Sequence, residues 1–138
     1  MGIWSCIGTN LDEVRDALYQ GKSGIIFSQE RKDAGFRSAL VGNVPKVDLK
    51  AYVPRNLRNF MPEEAQYGYI ATKQALENAG IDEDFLNTHE VGIIYGNDSV
   101  ADATMNSLDK FRQATSTVAC GSGAIFQSMN SNITMNLA

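Results

Sequence analysis

The sequence predicts an α/β fold, and two adjoining segments carry that prediction. Pro62 to Gly80 holds the signals of one long helix: proline at the first turn, Glu63 and Glu64 at the positive end of the helix dipole, Ala65, Ile70, Leu76 and Ala79 recurring along it, and glycine to close it. Shortly afterwards, Glu90-Val91-Gly92-Ile93-Ile94-Tyr95-Gly96 is a short apolar run bounded by glycine, which reads as a buried strand. A helix feeding a strand through a connection that holds Asp82, Glu83 and Asp84 implies an α/β layer.

The other elements come in chain order. Asn10, with Glu13 three residues later, approximates a capping box, and Leu11, Val14 and Leu18 repeat at helical spacing until Gly21. From Lys22 to Val53 the periodicity fails, and Gly24, Gly35, Gly42 and Pro45 punctuate an irregular excursion. Within it Ile25-Ile26-Phe27 and Ala39-Leu40-Val41 suggest one hairpin. Beyond the strand, Val100 to Arg112 carries Val100, Met105, Leu108 and Phe111 in a helical register. Ala124 to Ala138 carries Ile125, Met129, Ile133 and Leu137 in another, with no cap before the last residue. No repeat, linker or low-complexity tract marks a domain boundary, so residues 1–138 read as one continuous piece.

Composition narrows the function. At 138 residues, 43% hydrophobic and 20% charged, the chain suits a soluble globular domain with one core. A formal charge of −4 and a pI near 4.9 argue against nucleic acid or an anionic membrane as partner, because the 12 basic residues are scattered. The first residues have no basic segment followed by an apolar one, and nothing later approaches the ~20 apolar residues of a membrane span, so the expected compartment is the cytoplasm. Cys6 and Cys120 are far apart and outside any CxxC pattern, which predicts two free thiols and no zinc site.

Five segments then carry a resemblance. Gly2-Ile3-Trp4-Ser5-Cys6-Ile7-Gly8, Gly21-Lys22-Ser23-Gly24-Ile25 and Gly42-Asn43-Val44 resemble the opening of β-ketoacyl-acyl-carrier-protein synthases I and II. Arg55 to Ala79 with Glu90 to Gly96 resembles that family's helix and following strand, and Phe126-Gln127-Ser128-Met129-Asn130-Ser131 its central helix. The resemblance implies a partial thiolase-like fold, here an incomplete first half that lacks its first strand and every element after the central helix. The activity implied is an acyltransferase reaction of fatty-acid biosynthesis, the decarboxylative Claisen condensation of acyl and malonyl thioesters. An acyl carrier protein is the implied partner, and the complete enzyme is an implied homodimer. No cofactor and no metal are called for.

In this family a cysteine at a helix start serves as nucleophile, stabilised as thiolate by the dipole and unpaired amides, and two histidines assist decarboxylation. The chain holds a single histidine, His89, and it reaches Ala138 inside the central helix, before the family's S-x-A-C-A segment. Met1 likewise falls where the first strand has just ended. Both ends therefore read as truncated, no residue is assigned a catalytic role, and the chain alone is expected to be inactive and poorly stable. Cys120, in Thr117-Val118-Ala119-Cys120-Gly121-Ser122-Gly123, imitates the nucleophile motif but falls one element too early, and it reads as a small, partly buried thiol.

Weaker candidates remain. Asn97, Asp98 and Ser99 stand where the family often has a glycine-rich turn, and they are acyl-pocket and dimer-contact candidates. Arg55 and Arg58 are carrier-docking candidates, although Asn56 and Asn59 replace cations that some relatives carry. Gly121-Ser122-Gly123 lacks the lysine of a phosphate loop, and Asp82-Glu83-Asp84 near His89 reads as a helix start rather than a metal site. Asn97-Asp98-Ser99 and Asn132-Ile133-Thr134 fit the glycosylation triplet only formally. The alternative function is a non-catalytic partner of chain-length-factor type that shapes an acyl cavity.

Overall fold

A computed structural model of the chain describes residues 1–97 and 101–138. The first helix, α1 (Leu11–Tyr19), begins as its sequence predicts: the Asn10 side chain accepts from the Glu13 N–H at 2.9 Å. Glu13 reaches one residue further back than a standard box, accepting from the Thr9 N–H at 2.7 Å and its hydroxyl at 2.9 Å. The expected hairpin forms as β1 (Ile25–Phe27) and β2 (Leu40–Gly42), antiparallel with Ile26 opposite Val41. Its second strand lies one residue later than predicted. Between the strands Ser28 caps a short helix, α2 (Gln29–Asp33), which sequence periodicity did not disclose because it is barely one turn long.

The chain then enters the core. Val47, Leu49 and Val53 point inward around a single 3-10 turn, and α3 (Arg55–Arg58) comes next. The long helix α4 (Glu63–Ala79) runs as predicted, with Gly80 at φ +68° in the left-handed conformation that ends it. The Ile81 N–H donates to the Leu76 carbonyl at 3.0 Å, completing the turn-back. Asp82 caps α5 (Glu83–Thr88) by accepting from the Phe85 N–H at 2.9 Å, so the three acids do sit at a helix start. Helix α6 (Ala101–Ala114) forms over the expected stretch, whose first residue, Val100, lies outside the described residues.

Two expectations are overturned. Val91 to Tyr95 is not a buried strand: no backbone group from Glu90 to Asn97 is hydrogen-bonded to another described residue, and Ile94 is 102% exposed. A strand exists through its ladder, and no neighbouring strand is present among the described residues to supply one. The segment touches the remainder through Tyr95, whose ring lies over Gly68 of α4. The single helix expected from Ala124 to Ala138 is instead two, α7 (Gly121–Gln127) and α8 (Asn132–Leu137). Asn132 Nδ2 donates to the Phe126 carbonyl at 2.9 Å, the group that a continuous helix would pair with the Asn130 N–H.

The core gathers where α8 meets α4. Ile133 is 1% exposed and packs with Met61, Ala65, Ile70, Leu49 and Val53. Gly68 allows this approach, since a Cβ there would lie 2.8 Å from the Tyr95 hydroxyl and 3.1 Å from Ile133 Cγ2. Asn132, wholly buried, also donates to the Phe60 carbonyl at 2.8 Å and receives Asn136 Nδ2 at 2.8 Å on Oδ1. Around this small core the surface stays large. The accessible area is 9970 Å². A compact monomer of 15.1 kDa exposes about 7,100 Å².

Replacing Asn132 by leucine keeps the volume but leaves two carbonyls without their donor, which is expected to cost about 3 kcal/mol in urea denaturation. Asn10→Ala, which removes one exposed cap, is expected to cost about 1 kcal/mol in the same experiment. Hydrogen exchange is expected to find the interior amides of α4 the most protected in the chain, and those of residues 91–96 exchanging almost freely. Strong protection of 91–96 in the isolated chain would contradict the unpaired backbone.

Candidate functional site

The carrier-docking candidates lie on one short helix. Pro54 opens α3, and the helix ends at Asn59, before Phe60 and the buried Met61 turn the chain into α4. Arg55 is exposed, whereas Arg58 is half-buried with its Nε out of water and without a hydrogen-bond partner among the described residues. Neither arginine forms an ion pair with a described residue. Leu57 and Phe60 are exposed beside them, so the cations are interleaved with apolar surface.

Of the acyl-pocket candidates, Asn97 is half-buried, and its Nδ2 is buried without a partner among the described residues. Asp98 and Ser99 lie outside the described residues. No hydrogen bond joins Asn97 to Arg55 or Arg58.

Cys120 ends a 3-10 turn just before α7, and its thiol donates to the Ser107 carbonyl of α6 at 3.3 Å. It borders a mainly apolar cavity of 270 Å³ with Leu108, Phe111, Thr117 and Ala124. No imidazole or carboxylate lines this cavity among the described residues, so none of them is placed there as the base a thiol nucleophile uses. The single imidazole is engaged elsewhere: His89 stacks on Phe85, ring centroids 4.0 Å apart, and its Nδ1 lies 3.1 Å from the Phe85 carbonyl. Cys6 is the second free thiol, packed so closely against Gly24 that a Cβ there would fall 2.7 Å from its sulfur.

One polar pair escaped the sequence reading, although its i,i+4 spacing on a predicted helix was the available signal. The Tyr67 hydroxyl donates to Glu63 Oε1 at 2.5 Å, and both residues border a 510 Å³ cavity with Lys46 and Pro45. Burial, and then the hydrogen bond to the Glu63 carboxylate, push the Tyr67 phenol above its ordinary range. A raised folded-state pKa means that this contribution to stability is complete below the unfolded value near 10 and is lost as pH rises through the folded one. In an alkaline absorbance titration Tyr67 is expected to ionise late, and Glu63→Gln is expected to move that ionisation to lower pH. An unchanged titration in Glu63→Gln would show that the carboxylate does not hold the phenol.

Residues 1–137 match the family model described as Beta-ketoacyl synthase, N-terminal domain. The chain is 42% identical over 97 residues to 3-oxoacyl-(acyl-carrier-protein) synthase 1 of Escherichia coli, covering 70% of this chain and 24% of that protein. It is 31% identical over 138 residues to the protein of the same name from Haemophilus influenzae, covering 99% of this chain and 34% of the relative. The backbone superimposes on a crystal structure of a β-ketoacyl synthase from Burkholderia phymatum with a TM-score of 0.81 at 22% identity, covering 99% of this chain and 34% of that one. The ishigamide ketosynthase/chain length factor gives a TM-score of 0.73 at 23% identity, covering 96% and 33%. The chain thus spans a quarter to a third of the length of these relatives, and its α/β architecture is that part of the ketosynthase fold.

Proposed function

Because the chain belongs to the β-ketoacyl synthase family, matching its amino-terminal domain over residues 1–137, we propose that it forms part of a 3-oxoacyl-(acyl-carrier-protein) synthase of fatty-acid biosynthesis. One observation carries this reading: sequence and backbone agree over the same residues, at 31% identity across 138 residues and a TM-score of 0.81. The curated relatives are synthases 1 and 2, which favours a condensing enzyme over a non-catalytic, chain-length-factor partner.

In the complete enzyme an acyl group passes from a carrier thioester to a cysteine thiolate, releasing the carrier thiol. Malonyl-carrier then loses carbon dioxide, and the enolate so formed attacks the acyl-cysteine carbonyl, forming the new carbon–carbon bond and freeing the thiolate. Two histidines would stabilise the developing enolate oxygen. This chain supplies neither the nucleophile nor the histidine pair: Cys120 is bonded to a carbonyl, and His89 is stacked on Phe85. Its share is the framework around the chemistry. Asn97, Asp98 and Ser99 are the acyl-pocket and dimer-contact residues in this reading, Arg55 and Arg58 meet the carrier protein, and residues 1–138 are one continuous part of the domain. A homodimer and a cytoplasmic location belong to the same reading. No described helix is long and apolar enough to cross a membrane.

A chimera tests the reading directly. This chain replaces the aligned first third of the Haemophilus influenzae synthase 1, and condensation is monitored from acyl- and malonyl-carrier substrates. Retained activity, reduced by less than the roughly hundredfold that a misplacement of about 1 Å costs, is the expected result. A folded but inactive chimera would count against the assignment, and so would acylation of Cys120 in the chain itself.

A further inference from the structure

Helix α3 does not hold its own orientation. It is a single turn of four residues, none of them buried, and its N-cap Pro54 makes no side-chain bond. Isolated helices shorter than about 12 residues are marginal in water. Its backbone amides bond to near neighbours: Leu57 and Arg58 donate to the Pro54 carbonyl, each at 3.1 Å, Phe60 to Leu57 at 2.9 Å and Met61 to Arg58 at 3.2 Å. The carbonyls just past the end of such a turn are the groups left over, and here side chains from far along the chain take two of them. Gln127 Nε2, in the last residue of α7, donates to the Asn59 carbonyl at 2.8 Å across 68 residues. Asn132 Nδ2, at the start of α8, donates to the Phe60 carbonyl at 2.8 Å. Beside these bonds the Phe60 ring meets the Phe126 ring edge-on, centroids 5.7 Å apart. Asn132 is wholly buried and also holds the Phe126 carbonyl, so it serves the core. The Gln127 bond is exposed to solvent, where one hydrogen bond adds little to global stability.

We infer that Gln127 is a positioning residue: its amide ties the end of α3 to α7, so that α3 meets its partner already ordered. The inference rests on the docking role proposed above for Arg55 and Arg58, and it concerns the amide that holds their helix, not the charges. The physical gain is preorganisation. A one-turn helix that is free to fray has to be ordered at the moment of binding, and that ordering subtracts from affinity; a helix tied beforehand avoids most of that loss. Asn132 and the Phe60–Phe126 contact fix the neighbouring residue in the same direction, and Gln127 completes the tie at Asn59, the residue that ends α3.

Gln127→Met tests this in the full chain, because it keeps the length and neutrality of the side chain and removes the donor. Hydrogen exchange at the amides of Leu57, Arg58, Phe60 and Met61 is expected to rise about fivefold, the worth of one hydrogen bond, while the amides inside α4 stay unchanged. No change at those four amides would overturn the tie, whatever the partner of α3. Binding to fluorescently labelled holo acyl carrier protein, followed by anisotropy, then tests what the tie does. Gln127→Met and Arg55→Ala are each expected to weaken binding about threefold, and the two together by clearly less than the product, since a helix without its docking arginine gains little from being held. Weakening by the full product would show that Gln127 acts independently of α3 and would overturn the inference, as would unchanged affinity in Gln127→Met. An unsubstituted chain that does not bind, or binds no more weakly with Arg55→Ala, would instead overturn the docking role on which the inference rests.

Discussion

The packing of α8 on α4 is the contact on which the rest of the structure depends. Ile133 fills the centre of the core, and Gly68 lets it and the Tyr95 ring approach the α4 backbone together. Asn132, one residue earlier, binds the carbonyls of Phe60 and Phe126 and so ties the start of α4 to the end of α7. A wholly buried amide is costly unless its hydrogen bonds are made. Here making them breaks a helix in two and sets the angle at which the last turn meets the core.

Away from that contact, order is mostly local. Asn10, Ser28 and Asp82 each cap a helix from their own neighbourhood, and Gly80 ends α4 by its own conformation. The β elements are the opposite case. The three-residue strands of the hairpin expose Ile25, Ile26, Phe27 and Leu40, and a two-stranded ribbon with no covering layer is marginal in water. The apolar run through Ile94 has neither ladder nor cover among the described residues. These exposures contribute to an accessible area well above that of a compact monomer of the same mass.

The same division governs the functional reading. The Cys120 thiol donates to a backbone carbonyl, and the His89 ring stacks on Phe85. The cations between Lys46 and Arg58 form no ion pair among the described residues.

The sequence by itself determined the helices with strong end signals, the hairpin to within one residue, and the family, because caps, glycines and short ordered motifs act over a few residues and need no distant partner. Tertiary structure alone decided that the Val91–Tyr95 run stays unpaired, since strand formation depends on a neighbour that no local pattern reveals. It alone decided that Asn132 would divide the last helix, since the Phe60 carbonyl that Asn132 binds lies 72 residues away along the chain. And it alone packed Val47, Leu49 and Val53 into the core while leaving Lys46, Lys50 and Arg55 exposed.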